Sequence, residues 1–83
     1  MVKVLVTGGC GFIGSNFIRY VLEVDPEAHV TNFDALTSAG NPQNLADLQA
    51  HPRYRFQKGD VTSRPSVEAA LRQGFDAVIH FAA

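Results

Sequence analysis

Gly8, Gly9, Gly11 and Gly14 follow directly on the apolar run Val4-Leu5-Val6. The chemistry open to such a cluster is done by backbone, which it brings up to an anion. Read one way, the spacing is Gly9-x-Gly11-x-x-Gly14; read the other way, it is Gly8-x-x-Gly11-x-x-Gly14. In both, an early glycine supplies turn angles closed to other residues. Gly11 then lets the main chain approach a pyrophosphate with no side chain between, and Gly14 lets the following helix pack closely on the strand. That helix carries about half a positive charge at its start, which favours phosphate there. A glycine turn alone is common in α/β proteins, so its meaning depends on a strand before it, a helix after it and an acid at a set distance.

That acid is Asp34. His29-Val30-Thr31-Asn32-Phe33 reads as a second strand with Asp34 at its C-terminal end, ~20 residues after Gly14, where a ribose-binding carboxylate is expected. A carboxylate there accepts hydrogen bonds from both ribose hydroxyls and repels a 2′-phosphate. Ala35 and Leu36 follow it and supply no cation to offset the repulsion, so NAD is expected over NADP. The alternative, that Asp34 merely begins a turn, leaves the spacing a coincidence.

Other reactive groups are read more plainly. Tyr54-x-x-x-Lys58 has the spacing of a general acid/base tyrosine with the lysine that lowers its pKa. That pair needs one face of a helix, whereas this segment alternates as a strand, and four strand residues span roughly 13 Å. The match is therefore read as accidental. Tyr20 has Val24 at the same spacing, so no catalytic residue is assigned. Cys10 lies beside a helix N-terminus that lowers thiol pKa values, but no histidine is near it in sequence and it is read as a small space-filling residue. His80, inside an apolar run, is read as a hydrogen-bonded core or strand-end residue. No cluster of His, Cys and acids suggests a metal.

The elements that must position the turn and Asp34 follow from patterning. Ile13, Phe17, Tyr20, Val21 and Val24 recur at helical spacing and predict an amphipathic helix, ended at Asp25-Pro26. With its flanking strands it makes a unit whose crossover should be right-handed. Asn41-Pro42 predicts the cap and first residue of a short helix with Leu45 and Leu48 buried, stopped by His51-Pro52. Arg53 to Gln57 alternates as a third strand near the sheet edge and ends at Gly59-Asp60-Val61. Asp60 and Val61 are read either as contacts for an adenine or as a simple turn. Ser63 and Pro65 open another helix with Val67, Ala70 and Leu71 inward and Gly74 at its end. Phe75 and Ala77 to Ala83 give a fourth, apolar strand.

Bulk properties set the limits. At 83 residues the chain holds one small domain, and a domain of that size buries only about 60% of its unfolded surface, so its stability is expected to be marginal. Seven Lys and Arg against eight Asp and Glu, interspersed, give a net charge of −1 and no basic patch, so no nucleic-acid partner is expected. No apolar run approaches a membrane span or a signal peptide. The single cysteine excludes an intrachain disulfide and fits a reducing compartment, and a soluble, cytoplasmic protein is expected.

Taken together, Val6-Thr-Gly-Gly-x-Gly-Phe-Ile-Gly-Ser15, Asp34-x-Leu-Thr-x-Ala-Gly-Asn41, Arg53-Tyr-x-Phe56 with Gly59-Asp60, and His80-Phe-Ala-Ala83 resemble the start of the dTDP-glucose 4,6-dehydratases. These are NAD-dependent extended short-chain dehydrogenases/reductases. The glycine turn and the final Ala-Ala are shared with UDP-sugar 4-epimerases and decarboxylases; Leu36-Thr37 to Gly40-Asn41 is what points to the dehydratases. Ala35 stands where the family often has lysine, and Ser38 where it usually has tyrosine.

The resemblance implies an α/β fold, the N-terminal part of a Rossmann-type doubly wound parallel sheet, with four strands in the order 3-2-1-4 and helices between. Residues 1–83 would be a partial NAD-binding domain truncated after the fourth strand, leaving that strand as an apolar edge prone to association. Phe12 and Ile13 would offer N–H groups to the pyrophosphate beside Gly8, Gly11 and Gly14. Asp34, Ala35, Leu36 and Thr37 would surround the adenosine ribose, Asp60 and Val61 would meet the adenine, and Phe81, Ala82 and Ala83 would line the inner phosphate, ribose and nicotinamide side. The family oxidises a nucleotide sugar at C4 by hydride transfer to NAD, eliminates water across C5 and C6, and returns the hydride to C6. Its catalytic groups and dimer helices lie downstream of the Ala-Ala. The chain alone is therefore expected to be inert, with a nucleotide-sugar substrate and a homodimer belonging to the longer protein. A stand-alone nucleotide-binding module is the alternative from outside the enzymes.

Overall fold

The computed structural model of the chain describes residues 2–35, 42–60 and 62–81, with backbone only for 42–44. Strand β1 (Val2–Thr7) leads through the glycine turn into helix α1 (Phe12–Val24), then β2 (Ala28–Asp34), a 3-10 segment (Pro42–Leu48), β3 (Tyr54–Lys58), helix α2 (Arg64–Leu71) and β4 (Ala77–His80). The strands form one sheet in the order β3-β2-β1-β4, and every neighbouring pair is parallel. Val6 is the central point of the register, with Asn32 of β2 on one side and Ile79 of β4 on the other. This is the 3-2-1-4 arrangement expected from the sequence, and it leaves β3 and β4 at the edges.

Strand alternation divides the core between the two faces of the sheet. Val4, Val6, Val30 and Tyr54 pack with Ile18 and Leu22 of α1 and with Leu45 and Leu48 of the 3-10 segment. Leu5 and Phe33 point the other way and pack with Ala70 of α2 and with Phe75. The first face holds the larger cluster, and it is the face on which the glycine turn meets α1.

The buried stripe of α1 differs from the one expected. Gly14, Ser15, Ile18 and Leu22 are buried, whereas Ile13, Tyr20 and Val24 are 69%, 62% and 57% exposed. Phe17 and Val21 pack only against the margin of the core. Apolar residues cover more than half of the circumference of this helix, opposite a polar side made by Asn16, Arg19 and Glu23, so their period alone does not choose the contact line. Gly14 chooses it, because the line of closest approach to the turn runs through the residue without a side chain and continues one and two turns on at Ile18 and Leu22.

Two strand boundaries also shift. β3 begins at Tyr54 rather than Arg53, because the Arg53 side chain turns back to the end of α1. Its guanidinium donates to the carbonyls of Leu22 (2.9 Å), Asp25 (2.7 Å) and Ala28 (2.9 Å), closing the helix C-terminus onto the start of β2. β4 is shorter than expected, with Phe75 preceding it in the second core cluster and Phe81 following it. Ser63 and Pro65 open α2 as expected, and Gly74 follows its end at φ +79°. Leu71, however, is 47% exposed.

Candidate cofactor site

The described candidate residues lie along the C-terminal ends of the parallel strands. Gly8 leaves β1 at φ +72°, a left-handed conformation that favours glycine, and its N–H still reaches back to the Phe33 carbonyl at 3.0 Å. The turn closes with Gly11 N–H on the Gly8 carbonyl at 3.3 Å. Gly11 is the N-cap of α1, and the first helical bond is Ser15 N–H to the Gly11 carbonyl at 2.9 Å. The N–H groups of Phe12, Ile13 and Gly14 lie ahead of that bond at the positive end of the helix, the part of a helix that receives anions. Phe12 and Ile13 are 79% and 69% exposed.

Each reading of the glycine spacing contains a glycine that the local geometry calls for: Gly8 in one, Gly9 in the other, and Gly14 in both. Gly8 supplies the turn angle. A Cβ on Gly9 would strike Asn32 Oδ1 and lie 2.6 Å from Ile18 Cδ1. A Cβ on Gly14 would lie 2.7 Å from the Gly8 carbonyl oxygen and 2.8 Å from Gly9 Cα. The helix is thus seated against the turn itself, not only against the strand.

Beneath the turn, β2 presents Asn32 and Asp34 on one face, as a period of two requires. Asn32 Oδ1 accepts Gly9 N–H at 2.9 Å and Asp34 Oδ2 accepts Cys10 N–H at 2.9 Å. Asp34 is buried, so the acid read from spacing is fixed directly against the turn. Ala35 follows it, partly buried. Gly59 N–H donates to the Asp34 carbonyl at 3.2 Å, which brings the end of β3, and Asp60 with it, to the same end of the sheet.

Asp60 itself makes the simple turn: Oδ1 accepts the Thr62 N–H at 2.8 Å and the Thr62 hydroxyl at 2.6 Å. These bonds, the hydroxyl's foremost, hold its carboxyl below the usual range. On the other side Phe81 N–H donates to the Thr7 carbonyl at 2.8 Å, and the Phe81 ring meets that of Phe17 at 5.4 Å. Leu36, Thr37, Val61, Ala82 and Ala83 lie outside the described residues.

Neither potential nucleophile is activated. Burial pushes the Cys10 thiol up to about 11, outweighing the Asn32 hydrogen bond that lowers it; the helix start does not make it reactive. Tyr54 is on a strand, as expected, and burial raises its pKa rather than lowering it. His80 Nδ1 and Thr7 Oγ1 share a hydrogen bond at 2.6 Å at the end of β4. Among the described residues, no group of three or more His, Cys, Asp or Glu could hold a metal ion, and no helix is long and apolar enough to cross a membrane.

Sequence reasoning missed Asn32 and Arg53. A polar amide in the interior of a strand, two residues before the acid, was the available signal for Asn32, since asparagine is depleted there. Arg53 carried no such signal, because its partners are main-chain carbonyls of residues 22 to 28.

Comparison with known proteins agrees with this geometry. Residues 4–83 match the model of the NAD dependent epimerase/dehydratase family. The dTDP-glucose 4,6-dehydratase of Streptomyces griseus is 49% identical over 81 residues, covering 95% of this chain and 24% of its own length. The crystal structure of dTDP-glucose 4,6-dehydratase from Bacillus anthracis in complex with NAD superposes with a TM-score of 0.95 at 40% identity, over 100% of this chain and 27% of that one. The UDP-Glc/GlcNAc 4-epimerase of Campylobacter jejuni superposes with a TM-score of 0.87 at 33% identity, over 100% of this chain and 25% of that one. The chain therefore spans about a quarter of the length of these relatives. With its family matched over nearly its whole length and its glycine turn and acid in place, the chain belongs to the NAD dependent epimerase/dehydratase family.

Proposed function

We propose that residues 1–83 are the NAD-binding portion of a nucleotide-sugar 4,6-dehydratase acting on dTDP-glucose, and that this portion performs no turnover by itself. The observation that carries the reading is the 2.9 Å bond from Cys10 N–H to Asp34 Oδ2, which holds Asp34 directly beneath the glycine turn, where this reading needs the ribose acid. In this reading the N–H groups at Gly11 to Gly14 take the pyrophosphate, Asp34 takes the ribose hydroxyls and excludes a 2′-phosphate, and the edge at Asp60 and Val61 faces the adenine. Leu36 and Thr37 close the ribose side; Phe81, Ala82 and Ala83 line the nicotinamide side. NAD, when bound, supplies a reversible hydride acceptor for the sugar.

The proposed absence of turnover is supported by the surroundings of Tyr54. A dehydratase needs a tyrosine of lowered pKa and its lysine, and Tyr54 has a raised pKa on a strand. An epimerase is the second reading, favoured by the Campylobacter jejuni structure, but at lower identity than the dehydratases. The test is calorimetric titration of the chain with NAD, with a turnover assay on dTDP-glucose and UDP-glucose run in parallel. Binding without product is expected; product from either sugar, or no heat with NAD, contradicts the reading.

A further inference from the structure

We propose that Asn32 is a positioning residue for the cofactor: its carboxamide holds the glycine turn in the shape that receives a pyrophosphate, and Tyr54 holds the carboxamide. The proposal rests on the cofactor reading above. Asn32 is fully buried at the middle of the sheet, where an amide is costly unless its bonds are made. Its bonds are made on both sides. Oδ1 accepts Gly9 N–H at 2.9 Å, while Nδ2 donates to Cys10 Sγ and to the Tyr54 hydroxyl, each at 3.3 Å. The orientation of the amide is fixed by chemistry, since a backbone N–H can only donate and must face the oxygen.

The arrangement does more than fill space. Gly9 has no room for a Cβ because the Asn32 oxygen stands there. Gly9 and Cys10, consecutive in the turn, hang from Asn32 and Asp34, alternate residues of β2. The turn is thus suspended at two successive N–H groups, which leaves the next ones, from Gly11 onward, at the helix start. Tyr54 belongs to β3, opposite Val30 in the register, and reaches diagonally to the amide. The shape of the turn is set through β2 and β3 together, before any ligand arrives. A leucine would keep the branched skeleton, with somewhat more bulk, but leave Gly9 N–H buried without a partner, and the turn would have to rearrange to find one.

The test compares two probes, ADP-ribose, which carries the pyrophosphate, and adenosine, which does not, against the parent chain, Asn32→Leu and Tyr54→Phe. Loss of a buried partner predicts that Asn32→Leu weakens ADP-ribose about tenfold to hundredfold and adenosine less than about threefold. Tyr54→Phe removes one acceptor and keeps the ring, so ADP-ribose weakens about threefold with adenosine unchanged and with faster exchange of the Gly9 amide proton. A purely structural role lowers both probes in proportion, and that result overturns the proposal. If Asn32→Leu loses its dispersed amide spectrum, Tyr54→Phe decides: ADP-ribose affinity equal to the parent's overturns the proposal. A parent chain that binds neither probe overturns the cofactor reading and the proposal with it, whereas a parent that binds both, with proportional losses in the variants, overturns the proposal alone.

Discussion

Replacing Gly14 by alanine sets two known effects against each other at the centre of the site. Alanine is the better helix former by about 1 kcal/mol, so on an exposed stretch of α1 the change would stabilise the chain. At Gly14 the new Cβ would lie 2.7 Å from the Gly8 carbonyl oxygen and 2.8 Å from Gly9 Cα. Both are backbone atoms of the turn, so no side-chain rotation relieves the contact. Helix and turn must separate by at least roughly 0.6–0.7 Å to bring both atoms to the lower limit of ordinary van der Waals contact. Overpacking of this kind costs about 1–3 kcal/mol, and a contact with backbone belongs at the upper end of that range. The net expectation is a loss of about 1–2 kcal/mol, or roughly 5–15 °C in Tm. The same shift displaces the N–H groups meant for the pyrophosphate, and NAD affinity should fall about tenfold or more. Urea unfolding and calorimetry with NAD measure both quantities. A Gly14→Ala chain as stable as the parent, binding NAD within twofold, would refute the argument that this glycine sets the helix against the turn.

Three other outcomes follow from the same structure. Asp34→Asn keeps an oxygen for Cys10 N–H but removes the charge, so NAD should weaken about tenfold and the preference over NADP should shrink towards parity, as read by paired titrations. Arg53→Met removes three charge-assisted bonds to carbonyls at the joint between α1 and β2 and should cost about 2–4 kcal/mol in urea unfolding; a loss below about 0.5 kcal/mol would show that water replaces them. The alkaline limit concerns Cys10, whose folded pKa is raised from 9.0 to about 11. Between those values the unfolded chain has released a proton that the folded chain retains, so stability falls as pH rises from 9 to 11, by about 2–3 kcal/mol in all. Unfolding of parent and Cys10→Ala at pH 8 and pH 10.5 should show the fall in the parent and a smaller one in the variant.

The sequence was most informative where one residue type is required by backbone geometry. Gly8 and Gly14 are such positions, a left-handed turn and a contact with no room for a side chain; Asp34 was legible instead from its spacing to the turn. Strand order was implied by the resemblance to the dehydratases rather than by any single residue, and the sheet has that order. The buried stripe of α1 was not legible, because its apolar arc is wider than the contact line and only the seat of Gly14 against the turn selects Ile18 and Leu22. The limits of β3 were misread because Arg53 alternates correctly with Tyr54 in sequence while its side chain serves the preceding helix. Asn32 was passed over for a related reason: its partners are a backbone N–H, a thiol and a tyrosine brought together only by the sheet.

The decisive experiment is an amide NMR titration of the chain with NAD and, separately, with NADP. The expected result is a dispersed spectrum in which NAD shifts the amides of Gly11 to Gly14 and of Asp34, and NADP shifts them less at equal concentration. A spectrum unchanged by NAD, or equal responses to the two dinucleotides, would contradict the assignment of the glycine turn and Asp34 as an NAD site.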